Sequence, residues 1–238
     1  MICFLTSRMD DPATGGLNPA NGFIDELRRS VPAPCDALYV CSDPDGWEKT
    51  DKYGCIIKEW LEDAGFPLRR FITLDGRNES MTASLIRESN LLILAGGHVP
   101  TQNRFFSKIG LKTALKSFDG VLIGISAGSM NCAETVYAQP EEDGEAANPE
   151  YRRFLPGLGL TNVNLLPHFQ DIRDVVLDGL RIFEDVTFPD SAGRTFYAIP
   201  DGSYLLICRG REELRGEAFR IRDGKMESIS AENGAVLL

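Results

Sequence analysis

The sequence predicts an α/β fold with three layers, a mostly parallel central sheet covered by helices on both faces, and an antiparallel β extension near the C-terminus. As far as residue 130, apolar strand-like runs alternate with segments that repeat apolar residues at helical spacing. Two of these runs, 91–95 and 121–125, are apolar throughout, as is typical of parallel strands buried on both faces. After residue 194, short strands and turn residues follow one another, which is typical of antiparallel hairpins.

The predicted strands are apolar segments that end at a glycine or at turn residues. They cover residues 1–6, 37–41, 68–74, 91–95, 121–125, 163–169, 195–199, 204–208, 218–221 and 226–229. The predicted helices show apolar residues at i, i+3, i+4 and i+7. They cover a short segment that begins near Phe23 and ends before Pro32, 47–64, 81–89, 101–118 with a break at Gly110, a segment directly after residue 126, and 172–183. Because the sequence contains no repeat, low-complexity segment or linker, we expect one domain of residues 1–238.

Composition excludes several classes of partner. The chain has 238 residues and a formal net charge of −10, which argues against nucleic acid or an anionic membrane surface as a partner. No apolar run reaches membrane-spanning length, and the N-terminal residues do not match a signal peptide. The six cysteines are dispersed without metal-binding spacing, so we expect reduced cysteines and a cytoplasmic protein.

A nucleophile motif dominates the middle of the chain. The predicted strand 121–125 ends in Gly124-Ile-Ser-Ala-Gly128, the G-x-S-x-G pattern, and helix-compatible residues follow. In this pattern a sharp strand-to-helix turn presents the serine hydroxyl at the rim of the sheet. Ser126 is therefore the candidate nucleophile.

A serine hydroxyl needs a base and an oxyanion site. The chain has two histidines, and His168 ends a predicted strand after a proline, so it is the candidate base. Candidate oxyanion donors are the backbone N–H groups of Ala127, directly after the nucleophile, and Gly97, at the end of the neighbouring strand. His98 is a candidate substrate contact.

The acid that would orient His168 stays open at this point, because several carboxylates are available. They are Glu141, Glu142, Asp171, Asp174 and Asp201. Three arginines could recognise an acidic substrate side chain. They are Arg104, Arg152 and Arg153.

The sequence lacks the motifs of several other enzyme classes. No G-x-x-x-x-G-K-[ST] motif or G-x-G-x-x-G motif follows a strand, and no H-E-x-x-H motif is present, so we expect neither nucleotide, metal nor any other cofactor. An α/β-hydrolase would place its histidine near the end of the chain, and no histidine follows His168. A class I glutamine amidotransferase would have cysteine at position 126.

Three blocks together resemble peptidase family S51, which includes dipeptidase E (α-aspartyl dipeptidase) and cyanophycinase. The blocks are Leu94-Ala-Gly-Gly-His98, Gly124-Ile-Ser-Ala-Gly-Ser129 and Leu165-Leu-Pro-His-Phe169. The resemblance implies a class I glutamine amidotransferase-like, flavodoxin-like fold with serine in place of cysteine. It also implies a serine–histidine–acid mechanism without metal or cofactor.

The resemblance assigns roles residue by residue. Ser126 matches the family nucleophile, His168 its histidine, and Gly97 and Ala127 its oxyanion positions. The family acid, aspartate in dipeptidase E and glutamate in cyanophycinases, follows the elbow helix, and by distance from the serine Glu141 matches it.

We therefore expect a serine peptidase acting on short peptides with an N-terminal or side-chain-linked aspartate. The small peptide is the expected partner, and we expect a monomer or a homodimer. Two alternatives stay open: a catalytically inactive amidotransferase-like binding or regulatory protein, and a serine hydrolase for another amide or ester.

Overall fold

The computed structural model describes residues 1–238 and contains strands and helices throughout. The strands are β1 (Ile2–Thr6), β2 (Asp10–Asp11), β3 (Gly16–Leu17), β4 (Cys35–Val40), β5 (Leu68–Leu74), β6 (Leu91–Leu94), β7 (Val121–Ile125), β8 (Thr135–Tyr137), β9 (Phe154–Pro156), β10 (Asn164–Leu166), β11 (Val176–Leu177), β12 (Leu180–Arg181), β13 (Thr195–Ala198), β14 (Tyr204–Cys208), β15 (Arg211–Arg215), β16 (Ala218–Arg222), β17 (Lys225–Ser230) and β18 (Ala235–Leu237). The helices are α1 (Phe23–Ser30), α2 (Trp47–Asp63), α3 (Thr82–Arg87), α4 (Val99–Lys108), α5 (Leu111–Ala114), α6 (Ala127–Met130), α7 (Phe169–Ile172) and α8 (Phe188–Asp190). None of the helices combines the length and the apolar character needed to cross a membrane.

The central sheet has eight strands in the order β18-β15-β14-β1-β7-β6-β4-β5. The five strands from β1 to β5 in this order run parallel, with β1 beside β7, β7 beside β6, β6 beside β4 and β4 beside β5. The remaining three strands extend the sheet antiparallel from β1. The predicted fold class, a mostly parallel sheet with an antiparallel extension from the C-terminal part, is confirmed.

Helices cover both faces of this sheet because the buried strands are apolar on both sides. On β6, Leu91 and Ile93 pack toward α1 and α2, while Leu92 and Leu94 pack toward α3, α4 and α5. Successive strand residues point to opposite faces, so one apolar run supplies two hydrophobic cores. All four of these side chains are fully buried.

The predicted helices before the motif agree with the structure. α2 ends near the predicted position, and the segment 101–118 is interrupted at Gly110, which has a φ of +65°. The helix after Ser126 is only four residues long. The dipole of so short a helix therefore stabilises negative charge at Ser126 less than the sequence pattern indicates.

The C-terminal strands divide between two sheets, which the sequence analysis did not predict. Only 204–208 joins the central sheet, together with β15 and β18, while β13, β16 and β17 form a second sheet with β10. In this second sheet β10 and β13 are parallel, with Leu166 opposite Ala198. Their carboxyl ends therefore lie side by side.

The predicted helix 172–183 is wrong. The chain forms the single turn α7, then the hairpin of β11 and β12, and then a π-helix, Ile182–Thr187. Asp178 and Gly179 form the turn of the hairpin with φ values of +53° and +80°. Asp-Gly suits such a turn because both central residues need positive φ, so this dipeptide is the signal that the helix prediction overlooked.

The six cysteines form no disulfide bond. Cys3, Cys35, Cys41 and Cys132 are buried, and Cys55 on α2 is exposed.

Candidate active site

The carboxyl ends of the parallel strands bring the candidate residues to one rim of the sheet. Ser126 directly follows β7, and Gly96 lies two residues beyond the end of β6. A Cβ added to Gly96 would lie 3.5 Å from the Cβ of Ser126, so the two turns are neighbours. Ligand sites in open parallel sheets gather at this rim.

Ser126 has a strained backbone. Its φ of +49° and ψ of −111° lie outside the regions that residues with a Cβ ordinarily adopt. The Ser126 N–H donates to the carbonyl of Thr6 at 3.1 Å, which ties the turn to β1. The side chain does not cap α6, and Ser126 lines the cleft above the sheet. This is the geometry of a nucleophile elbow.

Gly128 allows the elbow to pack against the neighbouring strand end. A Cβ at this position would lie 2.8 Å from the Cβ of Leu94 and 2.9 Å from the carbonyl oxygen of Ala95. These distances are shorter than any normal contact, so the second glycine of the motif is required for packing.

His168 lies two residues beyond the end of β10 and faces the same cleft as Ser126. Its Nδ1 is 2.8 Å from Oδ1 of Asp201, and its backbone N–H donates to Oγ of Ser7 at 2.8 Å. The Ser7 hydroxyl in turn donates to Oδ1 of Asp201 at 2.7 Å. Ser7 is fully buried and therefore connects the histidine backbone with the carboxylate that holds the ring.

The carboxylate of Asp201 is stabilised in its charged form. Partial burial acts to raise its pKa, but the hydrogen bonds from His168 and Ser7 outweigh burial, so the pKa of Asp201 lies below its usual value. An ionised Asp201 accepts a hydrogen bond from Nδ1–H of His168, which leaves Nε2 as the acceptor on the ring. No hydrogen bond joins this ring to the Ser126 hydroxyl.

Glu141 does not bind His168, contrary to the sequence-based expectation. Its Oε1 instead accepts the backbone N–H of Val99 at 3.0 Å, and desolvation of the carboxyl group raises its pKa. Glu141 remains close, since it lines a small cavity together with Ser126 and His168. The residue on the histidine ring is Asp201, one of the alternatives that the sequence left open.

Gly97 and Ala127, the candidate oxyanion donors, each carry a backbone N–H that has no acceptor within the protein. The N–H of Gly97 donates to no group of the protein, and the N–H of Ala127 is at the first position of α6, where no helical partner exists. Gly97 has a φ of +150°, and a Cβ there would lie 2.6 Å from the Cβ of Ser42. The structure therefore has room for glycine alone at this position.

His98 belongs to a loop contact at the mouth of the cleft. Its Nδ1 lies 2.8 Å from Oγ1 of Thr101, and its Nε2 lies 2.8 Å from Oε1 of Glu145. The other carboxylate oxygen of Glu145 accepts the N–H groups of Glu141 and Glu142. Through its contact with Glu145, His98 holds the acidic loop 139–150 beside the candidate site.

The cleft has a volume of about 680 Å³, within the range of pockets that enclose small ligands. Arg8 in its wall is paired with Asp10 at 3.0 Å. Lys49 and Arg104 also line the cleft and form no ion pair with a carboxylate. These two cations are free to meet an anionic group of a ligand.

Two other arginines considered from sequence do not line the cleft. The guanidinium of Arg153 binds Asp190, with Nη2 3.2 Å from Oδ1, and Arg152 is absent from the cleft wall. Sequence reasoning missed Ser7, Arg8 and Lys49. Ser7 and Arg8 directly follow the predicted strand 1–6, and this location at the end of a parallel strand is the signal that could have identified them.

Comparisons with known proteins identify a family and two structures of similar fold. The family model described as peptidase family S51 matches residues 44–214. A crystal structure of a peptidase from an acI-B1 Actinobacterium has a TM-score of 0.70 at 14% identity, covering 100% of this chain and 96% of the other. A putative peptidase E protein from Listeria monocytogenes EGD-e has a TM-score of 0.57 at 16% identity, covering 96% and 97%. No curated protein sequence matches.

The two solved structures show a shared fold across nearly the whole length of each chain. The family match spans well over half of this chain and includes the turns that carry Gly97, Ser126 and His168. The chain belongs to peptidase family S51.

Proposed function

We propose that this S51 peptidase is a serine peptidase that cleaves short peptides with an N-terminal or side-chain-linked aspartate, through Ser126, His168 and Asp201. The observation that carries the proposal is a serine on a strained elbow in the same cleft as a histidine held by a carboxylate. Strain of this kind is retained where the surrounding structure stabilises it, commonly at catalytic turns.

The proposed reaction begins when Nε2 of His168 takes the Ser126 proton as Oγ attacks the scissile carbonyl carbon. The N–H groups of Gly97 and Ala127 would bind the oxyanion. His168 then gives the proton to the leaving amine, and an acyl-enzyme forms. Water, deprotonated by His168, hydrolyses the ester and restores the serine. Asp201 keeps the imidazole oriented and stabilises its charged form.

Lys49 and Arg104 support the preference for aspartate. Neither has a carboxylate partner, and each lines the cleft that contains Ser126. A charge-assisted hydrogen bond contributes about 1.5–3 kcal/mol. We therefore expect kcat/KM for Asp–Ala to exceed that for the uncharged Asn–Ala by about tenfold or more.

The test is a hydrolysis assay on Asp–Ala, its isoaspartyl isomer, Asn–Ala and an acyl ester, run beside fluorophosphonate labelling and peptide mapping. Hydrolysis of Asp–Ala with an adduct on Ser126 supports the proposal. Equal rates on Asp–Ala and Asn–Ala would contradict the aspartate preference alone. A folded protein with neither hydrolysis nor adduct would instead be a binding protein.

Gly97→Ala is expected to lower kcat by about 10²-fold, the effect of losing one oxyanion donor. The added Cβ would collide with Ser42 and displace the Gly97 N–H. The measurement is kcat on Asp–Ala, with folding checked by thermal unfolding. Gly110→Ala is the matched control, because Gly110 also has positive φ but has open space around it and lies outside the cleft. Equal losses in both variants would show a folding effect and not a lost donor.

A further inference from the structure

The catalytic cleft continues along one face of α2, beyond the residues that the proposed reaction uses. The α2 residues that line it are Lys49, Thr50, Tyr53, Ile57 and Trp60. Their spacing places them on one side of the helix. At 1.5 Å per residue, the stripe from Lys49 to Trp60 is about 16 Å long. We call this extension the α2 groove.

The inner part of the α2 groove is apolar and aromatic. Tyr39 on β4 and Ile57 are buried and form its floor, and Trp60 is partly buried. Tyr53 forms a wall and is 45% exposed. Lys49 lies one turn of helix before Tyr53. The groove thus combines a cation, Lys49, with an aromatic and apolar stretch of α2, while Asp10, Asp43 and Glu142 line other parts of the cleft.

The groove is open to solvent at Tyr53 and at the partly buried Trp60. The groove is continuous with the cleft that holds Ser126 and His168. A peptide bound with its scissile carbonyl at Ser126 therefore has a neighbouring side chain beside the groove. An alanine side chain would leave the aromatic walls in water, whereas a phenylalanine or leucine side chain would cover them.

We propose that the α2 groove is a substrate subsite for a large aromatic or branched apolar side chain on the residue next to the substrate aspartate. This inference rests on the proposed function for the position of the scissile bond. Burial of one such side chain is expected to strengthen binding of Asp–Phe over Asp–Ala by about 10- to 100-fold. The preferred substrate is accordingly a small peptide with one acidic and one large apolar residue.

The test measures binding and not turnover, so its outcome does not depend on the proposed hydrolysis. Asp–Phe and Asp–Ala are titrated into Ser126→Ala protein by calorimetry. Because the chain has only two tryptophans, adding Trp47→Phe leaves Trp60 as a single fluorescent reporter in the groove. We expect tighter binding of Asp–Phe, with a change in Trp60 emission that Asp–Ala does not produce.

Two variants on α2 separate a subsite from a general effect. Tyr53→Ala is expected to remove most of the preference for Asp–Phe and leave Asp–Ala binding unchanged, whereas Tyr53→Phe retains the preference. Trp47→Ala is the control, because Trp47 is 51% exposed on the same helix but does not line the cleft. Equal affinities for the two peptides, no binding of either, or no effect of Tyr53→Ala would each overturn the subsite. Hydrolysis of Asp–Ala by the wild-type protein would still support the proposed function in any of these cases.

Discussion

Replacing Ser126 with alanine is expected to lower kcat for Asp–Ala by about 10⁴-fold or more, because no other group can form the acyl-enzyme. The Ser126 hydroxyl is the candidate nucleophile on the strained turn, and the oxyanion donors alone supply only part of the rate. The measurement is the initial rate of peptide hydrolysis, followed by chromatography of the products. Asp–Phe binding is expected to persist, since the groove and the cations are unchanged.

The control for this variant is Ser129→Ala on the same turn. Ser129 is buried and its hydroxyl donates to the carbonyl of Thr6 at 2.8 Å, so its loss is expected to lower stability by about 1 kcal/mol and to leave kcat within a few fold. Ser126→Ala keeps a Cβ at the same φ, so its melting temperature is expected to stay close to that of the wild type. A Ser126→Ala protein that hydrolyses Asp–Ala at the wild-type rate would rule out serine catalysis.

The central sheet could be predicted from sequence because burial on both faces leaves a local signature. A strand such as β7 is apolar at successive positions, and this pattern requires no knowledge of its neighbours. The C-terminal strands lack such a signature. Residues 195–198 and 204–208 are close in sequence but belong to different sheets. The sheet that each strand joins depends on which neighbouring strand lies beside it in the folded chain.

The same distinction explains the candidate site. Ser126 and His168 were identified from blocks that a single sequence displays, whereas Asp201 reaches His168 only because β13 pairs in parallel with β10. The parallel register, with Leu166 opposite Ala198, brings His168 and Asp201 close together just beyond the ends of the two strands. The distance along the chain from Ser126 matches Glu141 to the family acid, but a distance along the chain contains no information on strand pairing.

The second large effect is expected when Asp201, and not Glu141, is replaced. Asp201→Asn is expected to lower kcat by about 10⁴-fold, because an amide neither holds the correct imidazole tautomer nor stabilises the imidazolium. Glu141→Gln is expected to change kcat by less than about tenfold, since the amide oxygen can still accept the Val99 N–H. Both are measured as kcat on Asp–Ala, with melting temperatures to confirm folding.

The pair of variants distinguishes the roles because both acids lie beside the cleft and differ in their hydrogen-bond partners. Asp201 contacts the imidazole of His168, and Glu141 contacts the backbone at the start of α4. If Glu141→Gln lost as much activity as Asp201→Asn, the acid matched by family resemblance would regain its role. If only Asp201→Asn lost activity, the hydrogen bonds from His168 and Ser7 to Asp201 would account for the orientation of the base.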